Sequence, residues 1–309
     1  MIDCILEAVG KTPLVRLRRM VASDMAEIVV KVEGLNVGGS IKTRTALGMI
    51  EAAEREGLLK PGSVVIEPTS GNQGIGLALV CALKGYRCLI VMPDSVSVER
   101  RSIIKLYGAE IVLVPDEGDI GAAIRGCLKK AEELRDSIPG AFIPQQFENP
   151  HNPETHRLNT AQEILEQLDG LSVDAFCCGI GTGGTLSGIG EVLRGKFPQV
   201  LIAAVEPENA AILAGGAIST HMQMGIGDGI IPANLNTSLI NENIIVTDDE
   251  AMEVARQLAR LEGLPAGISS GSNVAGALRL AKRLGPGRRV LTVLPDSYDR
   301  YYSTPLFEG

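Results

Sequence analysis

The sequence predicts an α/β protein built on parallel sheets and divided into two domains, and three observations carry that prediction. Short β-branched runs alternate with amphipathic helical stretches: SVVIEP precedes GIGLALVCALKGY, CLIVMP precedes VERRSIIKLYG, and EIVLVP precedes IGAAIRGCLKKAEEL. This is the βαβ rhythm of a parallel sheet. The 309 residues exceed what one core usually holds. The rhythm also pauses at FIPQQFENPHNPETHR, a polar segment with three prolines, before resuming with VDAFCCGIGTGGTLSGIGEVL, LIAAVEPE and RRVLTVLPD. That pause is the expected domain boundary. The stretch 225–245 is expected to be loop, because glycines and Asn-rich turns replace any helical period there.

Composition narrows the function. A formal charge of -8 leaves no basic face for nucleic acid, and aromatics at 3% with no Trp leave no platform for stacking bases. No apolar stretch is long enough to cross a bilayer, and the start MIDCILEAVGKTPLVRL lacks the features of a secretory signal. The six cysteines, Cys4, Cys81, Cys88, Cys127, Cys177 and Cys178, form no CxxC pair and sit mostly in apolar runs. Free buried thiols in a reducing cytoplasm are expected, with a small molecule as partner. No Cys or carboxylate pairs at ligand spacing suggest a metal, and no Ser-His-Asp order suggests a hydrolase. His151, His156 and His221 are expected to be peripheral.

Four junctions carry the chemistry. FCCGIGTGGTL runs from strand through turn to helix, and its N–H groups at a helix start form an anion cradle suited to phosphate. Gly179, Gly181 and Gly184 also satisfy GxGxxG, and Glu206 closes the next strand at a ribose-binding offset. A dinucleotide and another phosphate ligand are therefore alternatives here, beside tight helix packing. The late position, after some 170 residues of α/β structure, is awkward for a first-strand dinucleotide fingerprint.

The second junction, Thr69-Ser70-Gly71-Asn72-Gln73-Gly74, lies between VVIE and a helix and offers hydroxyls and N–H groups to a carboxylate. A plain N-cap would need only Ser70 or Asn72. The third, NVGGSIKTR, places Lys42 in the first turn of a helix, where the dipole opposes its charge and favours a neutral, nucleophilic amine. A solvated lysine is the alternative, but it leaves the glycines unexplained. The fourth, GISSGSN, supplies hydroxyls at another helix start, more than capping requires.

These motifs resemble the cysteine synthase (O-acetylserine sulfhydrylase) and cystathionine β-synthase family, the fold type II pyridoxal-phosphate enzymes. The resemblance runs over nearly the whole chain: GKTPLVRL, GGSIKTR, EPTSGNQGIG, MPDSVSVERR, QQFENPHNP, GIGTGGT, VEPEN, GIGDGIIP, GISSGS and LPDSYDRYYSTPLF occur in one order. It implies two α/β domains with pyridoxal 5'-phosphate in the cleft, a smaller one at 38–147 and a larger one from 1–37 and 148–309. It further implies that Lys42 forms the internal aldimine and that Gly181, Thr182, Gly183, Gly184 and Thr185 hold the phosphate. Asn72 would meet the ring 3'-oxygen and Ser269 the pyridine nitrogen. Thr69, Ser70, Gly71, Gln73 and Gln146 would surround the substrate carboxylate. A serine at the ring nitrogen would give a weaker electron sink than a carboxylate and so favour β-elimination over transamination.

The implied reaction is β-replacement on a serine- or cysteine-type amino acid through α-aminoacrylate, as in making cysteine from O-acetylserine and sulfide. The chain departs from the family pattern at Val37, Thr43, Gln73, Asp228 and NTAQEI. Gln73 enlarges the carboxylate loop. Asp228 puts a carboxylate near the mouth of the site, where it would repel bisulfide and act as a base for water or a thiol. The alternative activity is therefore sulfide release from cysteine, of the cysteine hydroxyl-lyase, lanthionine or cystathionine synthase type; a loop carboxylate accepting N–H bonds is the plainer role. An NAD-linked oxidoreductase and a catalytically silent relative stand further off. By analogy with the family, a cytoplasmic homodimer is expected, without a haem-binding extension or regulatory module.

Overall fold

A computed structural model describes residues 1–69, 71–116 and 120–308. Two sheets form. The larger has six strands in the order β1 (Leu14–Arg16), β2 (Glu27–Val32), β10 (Arg289–Leu294), β7 (Ala175–Gly179), β8 (Leu201–Pro207) and β9 (Glu242–Val246). All neighbours are parallel except β1 and β2. The smaller sheet is wholly parallel, in the order β5 (Glu110–Val114), β4 (Arg87–Pro93), β3 (Val64–Pro68) and β6 (Ala141–Phe142).

The apolar runs are explained by burial on both faces. In β7, Cys177 joins the core under α8 (Asp248–Gln257) and α9 (Ile268–Leu284), while Phe176 and Cys178 join the opposite core under α6 (Ala161–Leu168) and α7 (Gly184–Lys196). In β4, Cys88, Ile90 and Met92 face α1 (Lys42–Arg55), α2 (Asn72–Lys84) and α3 (Val98–Leu106), while Leu89 and Val91 face α4 (Ile120–Ser137). Each cysteine in these strands is therefore a small core residue, and among the described residues all six are free thiols.

One expectation needs correction. The stretch 225–245 is not all loop, because β9 begins at Glu242 and pairs in parallel with β8. Only Ile244 and Val246 of the short ENIIV strand are buried, because it forms a sheet edge where one side lacks a neighbour. The proline-rich pause contains α5 (His151–Thr155), which continues through a π-helical turn, His156–Thr160, into α6. Pro153 is tolerated near the start of α5, where its missing N–H costs nothing.

Candidate active site

Parallel strands deliver their loops to the same side, and the carboxyl ends of β2, β3 and β7 each lead into one of the junctions singled out above. Gly38 and Gly39 turn the chain into α1 with φ of +75° and +70°, a region that side chains resist. Their carbonyls accept hydrogen bonds from the buried guanidinium of Arg300. Ser40 forms a β-bridge with Asp296, and the Ile41 N–H donates to Pro295 O at 2.8 Å. These ties fix the head of α1 against the end of β10, and Lys42 is its first residue.

The Lys42 amine makes no hydrogen bond or ion pair with any described residue. Burial pulls it below the ordinary lysine range, against the opposing pull of Asp228, Cys178 and Asp296 nearby. A neutral amine is the nucleophilic form, so the setting suits attack on a carbonyl carbon.

Beyond β7, Gly181 to Thr185 turn into α7, whose N-cap Gly183 has φ of +77° and whose first N–H groups receive no side-chain cap. An uncapped helix start offers both donors and dipole to an anion. Thr182 Oγ1 accepts a hydrogen bond from Asn152 Nδ2 at 2.9 Å, and Thr185 Oγ1 lies 3.3 Å from His156 Nε2. A Cβ on Gly181 would stand 2.4 Å from Gly225 O and 3.6 Å from Asp228 Oδ2. The missing side chain is what lets the Asp228 loop approach the cradle. Burial raises the Asp228 carboxyl above its ordinary range, opposed by Lys42 and His221.

Two of the three histidines are therefore not peripheral. His156 is buried in the π-helical turn, which aims it at Thr185 and at Thr160 Oγ1, 2.9 Å away. Burial, with Arg44 and Lys42 nearby, holds it well below the ordinary histidine range, so it is neutral. His221 Nε2 donates to Gly227 O at 3.0 Å, beside Asp228. A lone histidine in a polar segment gives no sign of this, because the extra residue of a π turn changes which way it points.

At the end of β3, Thr69 donates its N–H to Val91 O at 2.9 Å and its Oγ1 accepts from Gly71 N at 3.3 Å. Ser70 lies outside the described residues. Gln73 is buried and turned toward α1, its Oε1 accepting from Thr45 Oγ1 at 2.9 Å while its amide nitrogen has no partner among the described residues. Gln146 and Gln145 donate their N–H groups to the two oxygens of Glu67, both at 3.0 Å. The carbonyl of Gln146 accepts from Asn152 and Asn234, each at 2.8 Å. Ser269 is buried in the first turn of α9. One turn on, Asn273 accepts from Gly179 N at 2.7 Å and donates to Val293 O at 2.8 Å, which ties α9 to the ends of β7 and β10.

Residue-by-residue reading missed Asp296, His156, Glu67 and Asn152. The one available signal was an acid at the end of an apolar run, as in LPD and IEP. Asp296 is fully buried and accepts from Asn72 Nδ2 at 2.6 Å and Tyr301 Oη at 2.7 Å. Its Oδ1, the Oδ1 of Asn72 and the hydroxyl of Ser40 are buried without partners among the described residues. Such orphans are costly unless a ligand satisfies them.

An unpaired amine, an uncapped helix start and a set of orphaned polar atoms together fit a ligand that carries an aldehyde, a polar ring and a phosphate. Residues 5–296 match the family model described as pyridoxal-phosphate dependent enzyme. The chain belongs to that family. Among pyridoxal-phosphate-dependent enzymes it is 51% identical over 306 residues to a cysteine synthase of Staphylococcus aureus, covering 99% of this chain and 97% of that protein. It superposes on the crystal structure of O-ureido-L-serine synthase with a TM-score of 0.95 at 45% identity, covering 100% of this chain and 96% of that one. A hydrogen sulfide-producing enzyme from Fusobacterium nucleatum gives 0.92 at 41% identity, covering 97% and 100%. This pyridoxal-phosphate-dependent enzyme has the two-sheet α/β architecture of its fold type II relatives.

Family membership also reassigns Glu206. Its two oxygens accept the N–H groups of Leu213 and Ala214, at 2.8 and 3.2 Å, so the carboxylate braces a loop instead of meeting a ribose. Among the described residues no helix is long and apolar enough to cross a membrane, and no His, Cys, Asp or Glu cluster could hold a metal ion.

Proposed function

We propose that this enzyme replaces the β-substituent of a serine- or cysteine-type amino acid, with O-acetylserine and sulfide giving cysteine as the main reaction. The observation that carries the reading is the Lys42 amine, pinned at the head of α1 with no partner among the described residues and with its charge disfavoured by burial. When bound, pyridoxal phosphate supplies an electron sink for charge developing at the substrate α-carbon. Lys42 holds the aldehyde carbon and moves the α-proton. Gly181 to Thr185 grip the phosphate, Asn72 meets the ring oxygen and Ser269 the ring nitrogen. Thr69, Ser70, Gly71 and Gln146 orient the substrate carboxylate, and Gln73, braced on Thr45, shapes the loop behind them. We divide the chain into a smaller domain at 38–147 and a larger one from 1–37 and 148–309, in a cytoplasmic homodimer.

A second reading rests on Asp228. A half-buried carboxylate beside both Lys42 and the cradle is placed to take a proton from water or a thiol, and its negative charge disfavours bisulfide. This reading has the enzyme release sulfide from cysteine, and the Fusobacterium relative is named as a hydrogen sulfide-producing enzyme.

The deciding experiment offers O-acetylserine, O-phosphoserine, cysteine and serine against sulfide, homocysteine and water, and identifies products. Cysteine from O-acetylserine and sulfide as the fastest reaction supports the first reading; sulfide from cysteine as the fastest supports the second. In the second case Asp228→Ala should lower sulfide release by about 10²-fold while cofactor binding persists. Unchanged release removes Asp228 from the mechanism.

A further inference from the structure

The buried carboxyl of Asp296 has no role in the reaction described above, yet it sits where three parts of the site meet. It follows β10 by two residues. Its main chain bridges Ser40 beside Lys42, and its carbonyl accepts from Gly267 N at 3.2 Å at the head of α9. Its side chain reaches Asn72, the first residue of α2, across 224 positions of sequence. One carboxyl oxygen takes both hydrogen bonds, from Asn72 Nδ2 and from Tyr301 Oη, and the other takes none from the described residues.

An amide nitrogen has two hydrogens, and an amide can be flipped. Turned the other way, Asn72 would set its oxygen against the acceptor oxygen of Asp296, a repulsive contact in a buried site. Asp296 therefore selects one orientation. One N–H of Asn72 is held by the carboxyl and the second is left to donate elsewhere. Tyr301 in turn holds the carboxyl, and its ring lies under the Arg100 guanidinium, 5.0 Å from the centroid.

We propose that Asp296 is a positioning residue that acts through Asn72, fixing the amide so that its free N–H faces the 3'-oxygen of the pyridoxal ring. The inference rests on the reading that Asn72 meets that oxygen. Asp296 itself touches neither substrate nor the reacting carbon. Its effect appears in how tightly the ring is held and in the electronic state of the cofactor bound to Lys42.

The test measures two properties of each purified variant: the dissociation constant of pyridoxal phosphate from the apoprotein, and the position of the visible absorbance band of the reconstituted enzyme. Circular dichroism of each apoprotein checks folding. Asn72→Ala should weaken cofactor binding about tenfold and displace the band. Asp296→Ala should produce the same displacement and a loss of similar size, and the double variant should bind no worse than Asn72→Ala alone. Asp296→Asn retains an acceptor oxygen and should return binding to within about threefold of the unmodified enzyme.

If Asn72→Ala changes neither property, the reading of Asn72 fails and the inference goes with it. If Asn72→Ala acts as expected but Asp296→Ala leaves the band in place, or its effect multiplies in full with that of Asn72→Ala, the inference alone is overturned. Should Asp296→Ala not fold, Tyr301→Phe removes one of the two donors without removing the carboxyl. It should give a smaller displacement in the same direction, and an unmoved band would count against the proposal.

Discussion

Two lysines of this enzyme have their charge disfavoured by their surroundings and are treated in opposite ways. Lys31, on β2, is fully buried, and its ammonium donates to Thr12 O at 2.6 Å, Glu163 Oε2 at 2.7 Å and Gln167 Oε1 at 3.1 Å. An ammonium has three N–H donors, and all three are used. Lys42 has none of its donors used by a described residue. Burial pulls both amines down. At Lys31 the contact with Glu163 resists that pull, whereas at Lys42 only charges without a hydrogen bond do so. The difference teaches that burial alone does not make a lysine reactive: a satisfied ammonium is structural, and an unsatisfied one is available for chemistry.

The largest effect that could break this contrast is at Lys42. Lys42→Ala should reduce kcat/KM for β-replacement by about 10³-fold or more and abolish the borohydride-sensitive absorbance. The thermal midpoint of the apoprotein should hold or rise, because an unsatisfied group has been removed. Substantial turnover by this variant would mean that another base does the work.

Lys31→Met reverses the pattern. Glu163 keeps Arg44 but loses its second cation, and Thr12 O and Gln167 lose a donor. Urea unfolding should show a loss of about 3 kcal/mol, with cofactor affinity within about twofold of the unmodified enzyme. Loss of cofactor without loss of stability would erase the distinction between the two lysines.

The carboxylates repeat the comparison and make it a function of pH. For Glu163, burial pushes the pKa up, but hydrogen bonds from Arg44 and Lys31 overcome it and hold the group at about 2. For Glu67, burial dominates, and two neutral N–H donors from Gln146 and Gln145 cannot prevent a rise to about 7. The signs are opposite. A lowered pKa gives stability that is present above the unfolded value and lost as pH falls toward 2. A raised acid pKa means the folded state holds its proton longer, so stability declines as pH rises from about 4.5 through 7. The Glu67 contribution spans about 3 kcal/mol. Glu67→Gln should flatten the decline in unfolding free energy between pH 5 and pH 8. The slope is the readout, since the amide also loses one acceptor; an undiminished slope would show that another group titrates there.

What the sequence shows and what it hides follow from the same geometry. The strands of both sheets were legible because burial on two faces imposes apolar runs, and Lys42 and Gly181 to Thr185 were legible because glycines mark the turns that bring backbone to a ligand. β9 was not, because an edge strand needs little hydrophobicity and ENIIV sits among turn residues. Asp296 and Glu67 were hidden for a different reason. Each is one acid at the end of an apolar run, and its partners, Asn72 and the Gln145–Gln146 turn, arrive from 224 and about 78 residues away. Gln73 was legible as unusual but not in direction: an α-helical side chain one residue past Asn72 points to the neighbouring helix, and Thr45 receives it there.

The smallest expected effect lies at the protein surface, where His151 has the paired charges that Lys42 lacks but not the burial of Lys31. Its Nδ1 lies 2.5 Å from Glu154 Oε2 and its Nε2 lies 2.8 Å from Glu56 Oε1, so both ring nitrogens face carboxylates and α5 is braced to the end of α1. The hydrogen bond to Glu154, with help from Glu56 and against partial burial, raises the histidine above its ordinary range. A raised histidine stabilises the fold fully below its unfolded pKa of about 6.5, and the gain fades as pH rises through the folded value. Because the partners are 40% and 50% exposed, water screens the pair, and the gain should be about 0.5 kcal/mol. His151→Ala should therefore lower unfolding free energy by that amount at pH 5.5 and by nothing measurable at pH 9. A loss of several kcal/mol at pH 5.5 would show that an exposed, paired cation can matter as much as the buried Lys31, and partnering without burial would then be enough to make a charged residue structural.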